Sequence, residues 1–168
     1  DASSLFLASV NMNELTWMLP PITPNEVICH GDFAPYNTAF NGSTVAGVFD
    51  FDTAHPAPRI WDLAYSVYCW APFHSSGSKA SNTLSTQISR AKLFCDSYGA
   101  TEQHRNELPT YMVKRLKALV DFMKKEALAG NVQFVENIND GHHLSYLADI
   151  EYITENTTMI LNGLLDQP

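Results

Sequence analysis

The sequence predicts an α+β fold that is mainly helical, with a small β-hairpin layer against a helical bundle. Residues 27–51 alternate short apolar runs with turn residues, a pattern typical of strands. From about Leu84 onward, apolar residues recur at helical spacing. The chain has 168 residues, of which 45% are apolar, and this is enough to bury a core. We therefore expect one domain over residues 1–168.

The first half begins with a segment that lacks clear periodicity. Residues 1–26 combine an apolar run with the helix-disfavouring stretch LPPITPN, and we interpret them as a lead-in. Val27–Cys29 is a short apolar strand. Residues 38–40 and 45–49 flank Asn41-Gly42, a strong β-hairpin signal, with a loop of either two or four residues.

A proline-containing loop follows Phe51, and residues 61–69 form a short apolar helix. The second half carries three helical patterns, at residues 84–98, from Pro109 to Gly130 and at about 142–165. Gly99 is suited to end the first of these helices, and Pro109 is favourable at the first position of the second. The Ser- and Gly-rich residues 75–85 predict a mobile linker.

Composition and charge argue against several classes of partner. The formal net charge is −8, whereas nucleic-acid binding depends on clustered Lys and Arg. No apolar stretch approaches the roughly 20 residues that span a membrane, and the first residues lack the basic region of a signal peptide. Three cysteines without a CxxC pair favour a reducing compartment. We predict a cytoplasmic protein with no nucleic-acid or membrane partner.

Residues 30–37, HGDFAPYN, crowd polar side chains into one predicted loop. Asp32 and Asn37 have the D-x-x-x-x-N spacing of a kinase catalytic loop, where the aspartate accepts a substrate proton and the asparagine binds Mg²⁺. With a four-residue hairpin loop, Asn37 lies opposite Val48, and Asp50 follows about two residues, or roughly 7 Å, farther on. One Mg²⁺ is then within reach of both oxygen-bearing side chains. The alternative for all three polar residues is local turn capping.

Three further polar residues have two interpretations each. Alternation along an extended chain places Asp52 on the same face as Asp50, as a second metal contact, or Asp52 belongs to the solvated surface. Asp62 either caps the predicted helix at 61–69 or braces the catalytic loop. His30 either supports the loop or takes part in proton transfer.

The motifs HGDFAPYN and GVFDFDTAHPAPRIWDLAY (residues 47–65), in this order, resemble the carboxyl-terminal catalytic lobe of the aminoglycoside phosphotransferase and choline kinase-like family. The resemblance implies a protein-kinase-like fold and a phosphotransferase that passes the γ-phosphate of ATP, with Mg²⁺, to a hydroxyl of a small molecule. Residues 84–168 would form the substrate side. The acidic residues of this part either receive a cationic acceptor or belong to a solvated face: Asp140, Asp149, Glu151 and Glu155.

The resemblance also implies the roles of individual residues. Asp32 would be the catalytic base, and Asn37 and Asp50 would bind Mg²⁺ and, through it, the nucleotide. His30 and Asp62 would support the loop.

The family also has an amino-terminal lobe of β-strands, with a lysine that binds the nucleotide phosphates. Only lead-in residues precede the catalytic motif here, and there is no Gly-rich loop, so we expect a carboxyl-terminal lobe with weak or no activity on its own. The apolar floor that the other lobe covers would favour self-association. Two other functions remain open, a noncatalytic lobe that binds a ligand or partner and a metal-dependent phosphoesterase.

Overall fold

The computed structural model describes residues 2–9, 11, 14–75 and 83–165. The chain divides into two compact units, Asp1–Trp70 and Ala71–Pro168. The described residues are mainly helical, with two small antiparallel sheets, which confirms the predicted α+β class. The predicted mobility of the linker at 75–85 falls largely on residues 76–82, outside the described residues. The single domain stays a prediction.

The first sheet pairs strand β1 (Val27–Cys29) with strand β4 (His55–Ala57) in antiparallel orientation. The strand β1 was predicted, but β4 lies where a loop was predicted, and that prediction was wrong. Pro56 pairs with Ile28 at a position where backbone groups face away from the partner strand. The Pro56 carbonyl accepts the Ile22 N–H at 2.8 Å, and the Ile28 N–H donates to Ser3 Oγ. The proline therefore removes no hydrogen bond between the two strands.

The second sheet is the predicted hairpin, formed by β2 (Thr38–Asn41) and β3 (Thr44–Val48). Its loop has two residues, one of the two predicted lengths. Phe40 pairs with Val45, but Ala39 pairs with Gly47, so Ala46 is the extra residue of a β-bulge.

The bulge shifts the register of the hairpin by one residue. Val48 lies opposite Thr38, so the predicted pairing of Val48 with Asn37 was wrong. The sequence signal for this bulge is Gly47, next to Ala46, because an isolated glycine within a strand favours a bulge, but it does not fix the register. This one-residue shift changes the residue that faces Asn37.

Two helices complete the first unit. The helix α1 (Ala2–Ser9) lies in the predicted lead-in and contacts β1. Its sequence, ASSLFLAS, has no amphipathic pattern, and periodicity could not have predicted it. The helix α2 (Arg59–Trp70) extends the predicted helix at 61–69 and contacts β1.

The second unit is a bundle centred on one long helix, α4. Its helices are α3 (Leu84–Tyr98), α4 (Glu102–Leu128), α5 (Val132–Asn139), α6 (His142–Glu155) and α7 (Thr157–Leu164). The helix α4 contacts α5, α6 and α7, and α3 contacts α7. A stripe of buried residues at helical spacing forms the core face of α4: Leu108, Met112, Leu116, Val120 and Met123. Among the described helices, none is both long and apolar enough to cross a membrane.

The helix predicted at residues 84–98 was correct, whereas the predicted start of the next helix, at Pro109, was wrong. The helix α3 ends at Tyr98, and Gly99 adopts a left-handed φ of 76°. The helix α4 begins at Glu102, well before Pro109. A capping box fixes this start, because Thr101 Oγ1 accepts the His104 N–H at 3.1 Å and the Thr101 N–H donates to His104 Nδ1. Pro109 lies inside the helix and is fully buried, so tertiary packing outweighs its local preference.

The third predicted helix, at about 142–165, is two helices. The break falls at Asn156, whose backbone has φ −100° and ψ 8°. The Asn156 side chain donates to the Tyr152 carbonyl at 2.8 Å, which gives the chain a local alternative to a continuous helix. The short helix α5 was not predicted.

Candidate active site

The carboxylate of Asp62 joins helix α2 to the loop that follows β1. Its Oδ2 accepts the backbone N–H of His30, and its Oδ1 accepts that of Gly31, each at 3.0 Å. Asp62 lies in the first turn of α2, and the two N–H groups begin the HGD motif. Of the two sequence interpretations of Asp62, these contacts correspond to the brace of the loop.

Both ring nitrogens of His30 are occupied by backbone groups. The Asp32 N–H donates to His30 Nδ1 at 3.2 Å, which leaves Nε2 to donate to the Phe49 carbonyl at 3.1 Å. The ring is buried and lies 4.4 Å, between centroids, from the ring of Phe51. With both nitrogens engaged, His30 supports the loop and links it to the end of β3. In this arrangement His30 has no free ring nitrogen for proton transfer.

Gly31 lies against the backbone of Thr53. Its φ is 83°, and a Cβ atom at this position would lie 2.5 Å from the Thr53 carbonyl oxygen and 2.8 Å from Thr53 Oγ1. Thr53 Oγ1 in turn donates to the His30 carbonyl at 3.2 Å. Only glycine satisfies both the left-handed φ and the close approach.

Asp32 accepts a hydrogen bond at each carboxylate oxygen. The Tyr36 hydroxyl donates to Oδ1 at 2.6 Å, and Asn37 Nδ2 donates to Oδ2 and to the Asp32 carbonyl, both at 2.9 Å. A 3₁₀ turn at Pro35–Asn37 brings these two donors back toward Asp32. The D-x-x-x-x-N spacing therefore corresponds to a direct contact between Asp32 and Asn37.

Asn37 also connects Asp32 to the segment that carries Asp50. The Phe49 N–H donates to the Asn37 carbonyl at 3.1 Å, so Phe49 faces Asn37 and Asp50 follows directly. Asp50 is exposed and has a left-handed φ of 66°, alone among the described non-glycine residues. Asp tolerates this conformation better than most residues, and such conformations concentrate at functional sites.

The backbone conformation of Asp50 also removes the reason to expect the side chains of Asp50 and Asp52 on the same face. Alternation of side chains requires an extended chain, and the left-handed Asp50 interrupts it, so that premise was wrong. Asp52 lies in a turn in which the Ala54 N–H donates to the Phe51 carbonyl at 2.9 Å. Asp52 is exposed, and its role as a metal contact stays a prediction.

The predicted Mg²⁺ ligands offer free oxygen atoms. Asn37 uses its Nδ2 on Asp32, and among the described residues none donates to its Oδ1. The carboxylates of Asp50 and Asp52 form no hydrogen bond or ion pair with any described residue. These hard oxygen donors fit the preference of Mg²⁺. Clusters of three or more His, Cys, Asp or Glu side chains that could hold a metal are absent from the described ranges, so a cation here would need the Asn37 amide or other ligands.

The electrostatics of the unit are dominated by acidic groups. Arg59 is the only Lys or Arg in residues 1–70. Desolvation at the hydroxyl end of Tyr36, followed by the neighbouring Cys69, raises the pKa of Tyr36 above its usual range, although most of the side-chain surface is exposed. The phenol stays protonated and remains a donor to Asp32. Within this unit, little cationic side-chain charge is available to meet a phosphate.

The family model described as "Phosphotransferase enzyme family" (APH) matches residues 7–94, more than half of the sequence. The chain belongs to the phosphotransferase enzyme family. The matched region of this phosphotransferase family member contains both motifs, 30–37 and 47–65, and ends within α3. No curated protein and no solved structure matches the chain.

Sequence reasoning missed three residues of this candidate site. The left-handed conformation of Gly31 had one sequence signal, its residue type, because glycine is the residue that most readily adopts a positive φ in a loop. Thr53 contacts Gly31 through its backbone, and Tyr36 reaches Asp32 across a 3₁₀ turn. Neither contact has a periodic or spacing signal.

In the second unit, one acidic residue of the predicted substrate side is engaged within the fold. Asp149 is buried, its Oδ1 accepts the Ser75 N–H at 2.7 Å, and its Oδ2 lies 2.9 Å from His74 Nδ1. Asp149 is therefore not part of a solvated face. The exposed Asp140, Glu151 and Glu155 remain accessible to solvent.

Proposed function

We propose that this family member transfers the γ-phosphoryl group of ATP to a hydroxyl of a small molecule. One observation carries the proposal. Asn37 donates to Asp32 at 2.9 Å and accepts at 3.1 Å from Phe49, the residue before Asp50. Asn37 therefore links Asp32, the candidate base, to the segment that carries Asp50. Both Asn37 and Asp50 have oxygen donors of the kind that Mg²⁺ prefers.

In the proposed reaction, Asp32 orients the acceptor hydroxyl and takes its proton. A bond forms between the acceptor oxygen and the γ-phosphorus, the bond from that phosphorus to the β-phosphate oxygen breaks, and ADP leaves. The protein contributes mainly position and charge, because phosphoryl transfer needs little covalent participation of side chains. The contacts of His30 and Asp62 keep the loop that carries Asp32 in place.

Asn37 and Asp50 would hold Mg²⁺, with Asp52 as a further ligand. When bound, Mg²⁺ neutralises phosphate charge, which matters in a unit whose only Lys or Arg is Arg59. Asp50 has a left-handed backbone just after β3, and its exposed carboxylate has no partner among the described residues.

The test is titration calorimetry of the whole chain with Mg-ATP, compared across matched variants. Asn37→Ala and Asp50→Asn should weaken Mg-ATP binding by about tenfold or more, since each removes a ligand of a charged group. Asp32→Asn should retain binding but lose transfer. Asp121→Asn, an exposed residue of α4, is the control and should match the wild type.

Absence of heat at millimolar Mg-ATP, with an intact fold, would overturn the proposal. That result would favour the second candidate, a noncatalytic lobe that binds a ligand or partner. The scarcity of cationic side chains in residues 1–70 is the observation in its favour. Phosphate release from an ester without ATP would instead indicate a phosphoesterase.

A further inference from the structure

The hydroxyl of Tyr36 lies against Asp32, at the place where an acceptor hydroxyl would bind if Asp32 is the base. It donates to Asp32 Oδ1 at 2.6 Å, a short hydrogen bond to a carboxylate. The same hydroxyl lies 3.3 Å from that of Tyr65, a buried residue of α2. Tyr65 is one turn from Asp62, so one face of α2 holds both the loop backbone and the Tyr36 hydroxyl.

The two oxygens of Asp32 are held very differently. Asn37, the partner of Oδ2, is 4% exposed and is fixed by a 3₁₀ turn and by Phe49. Tyr36, the partner of Oδ1, is 61% exposed. A side chain with most of its surface in water can change rotamer without opening the core, whereas Asn37 cannot. Oδ1 is therefore the exchangeable position of the carboxylate.

We propose that Tyr36 is a positioning residue whose hydroxyl holds the place of the acceptor hydroxyl on Asp32, and that an acceptor binds by displacing it. This inference rests on the proposed function, since it assumes that Asp32 is the base. In the free protein, Tyr36 satisfies Oδ1 and keeps the carboxylate oriented. In the complex, the acceptor hydroxyl takes over that hydrogen bond, and the exposed tyrosine ring lines the acceptor subsite.

The hydroxyl and the ring of Tyr36 should have opposite effects on ligand binding. Tyr36→Phe removes the competitor but keeps the ring, so a hydroxyl-bearing ligand should bind about tenfold more tightly, as expected for one hydrogen bond to a charged group. Tyr36→Ala also removes the ring and should bind more weakly than Tyr36→Phe. In turnover, the change should appear in KM rather than in kcat.

The experiment follows Tyr36 directly by NMR in the full chain labelled with ¹³Cζ-tyrosine. The chain has seven tyrosines, and the Tyr36 resonance is the one absent from Tyr36→Phe. Glycerol and choline chloride, each with and without Mg-ATP, are the hydroxyl probes. Tyr98→Phe, an exposed residue of α3, is the control and should leave both the Tyr36 resonance and probe binding unchanged.

We expect Asp32→Asn to shift the Tyr36 resonance, and we expect the probes to move the wild-type resonance. The proposal is overturned if the probes leave that resonance unmoved up to molar concentration, or if Tyr36→Phe binds them no more tightly than the wild type. If Asp32→Asn does not fold, the Tyr36→Phe arm decides alone. Failure of the proposed function is read separately, from Mg-ATP calorimetry, which does not involve the Tyr36 resonance.

Discussion

Asp62 Oδ1 accepts the backbone N–H of Gly31 at 3.0 Å, and this contact ties the first turn of α2 to the loop that follows β1. The second oxygen of the same carboxylate accepts the His30 N–H. A loop that leaves a three-residue strand has little regular structure to fix it. One carboxylate that bonds two successive N–H groups supplies that constraint.

Replacing Asp62 should therefore destabilise the first unit. Asp62→Ala removes the carboxylate that accepts two backbone N–H groups, and we expect a loss of about 2–4 kcal/mol, with Asp62→Asn intermediate. Urea unfolding followed by tryptophan fluorescence is the measurement, because Trp17, Trp61 and Trp70 all lie in this unit. Asp52→Asn, at an exposed position, should cost less than about 0.5 kcal/mol. Equal stability of Asp62→Ala and Asp52→Asn would show that the brace contributes nothing.

Two glycines with positive φ should respond differently to alanine. Gly42, at the hairpin turn, has φ 61° and no atom within 4 Å of the site of a Cβ, so Gly42→Ala should cost only about 1 kcal/mol for the backbone conformation. Gly31→Ala adds a clash with the Thr53 carbonyl and should cost about 2 kcal/mol more. The same fluorescence assay measures both variants. Similar costs at the two positions would contradict the close approach of Gly31 and Thr53.

Asp50 should separate stability from ligand binding. At a φ of 66°, alanine is strained and glycine is not, so Asp50→Gly should be more stable than Asp50→Ala by about 1 kcal/mol. Both variants lack the carboxylate, so both should lose Mg²⁺-dependent nucleotide binding. Urea unfolding and calorimetry on the same samples test the two statements. An alanine variant as stable as the glycine variant would argue against the left-handed backbone.

Cys95 should make the stability of the second unit sensitive to alkaline pH. Burial raises the pKa of the Cys95 thiol from 9.0 to about 11. The folded state therefore favours the protonated thiol, so its stabilising effect is complete below pH 9 and is lost as the pH rises from 9 to about 11. Urea unfolding followed by far-ultraviolet circular dichroism should show a steeper loss for the wild type than for Cys95→Ala. Parallel pH profiles would contradict the prediction.

The positions of several elements follow from local chemistry. The hairpin at Asn41-Gly42, the end of α3 at Gly99 and the contact of Asp32 with Asn37 all depend on residues close in sequence. In each case the physical cause, whether a turn preference, a left-handed cap or a short loop, acts over a few residues. Such short-range causes can be predicted directly from the sequence.

Other features depend on partners that are distant in the chain. The strand β4 contains Pro56 and forms because β1 is available, and Pro109 enters α4 because its surroundings bury it. Neither outcome can be inferred from the local preference of proline. The position of the bulge at Ala46 likewise follows from pairing between two strands, and Gly47 is only a weak local signal for it.

By itself the sequence determined the order of the motifs, the mainly helical class and the polar residues gathered near Asp32, because spacing and side-chain chemistry are local properties. Only the tertiary structure decided that Phe49 faces Asn37 and that Asp62 braces His30 and Gly31. These contacts depend on strand register and on the placement of α2, which bring residues that are distant in the chain together in space. A one-residue shift in any of them exchanges the side chain that meets the site.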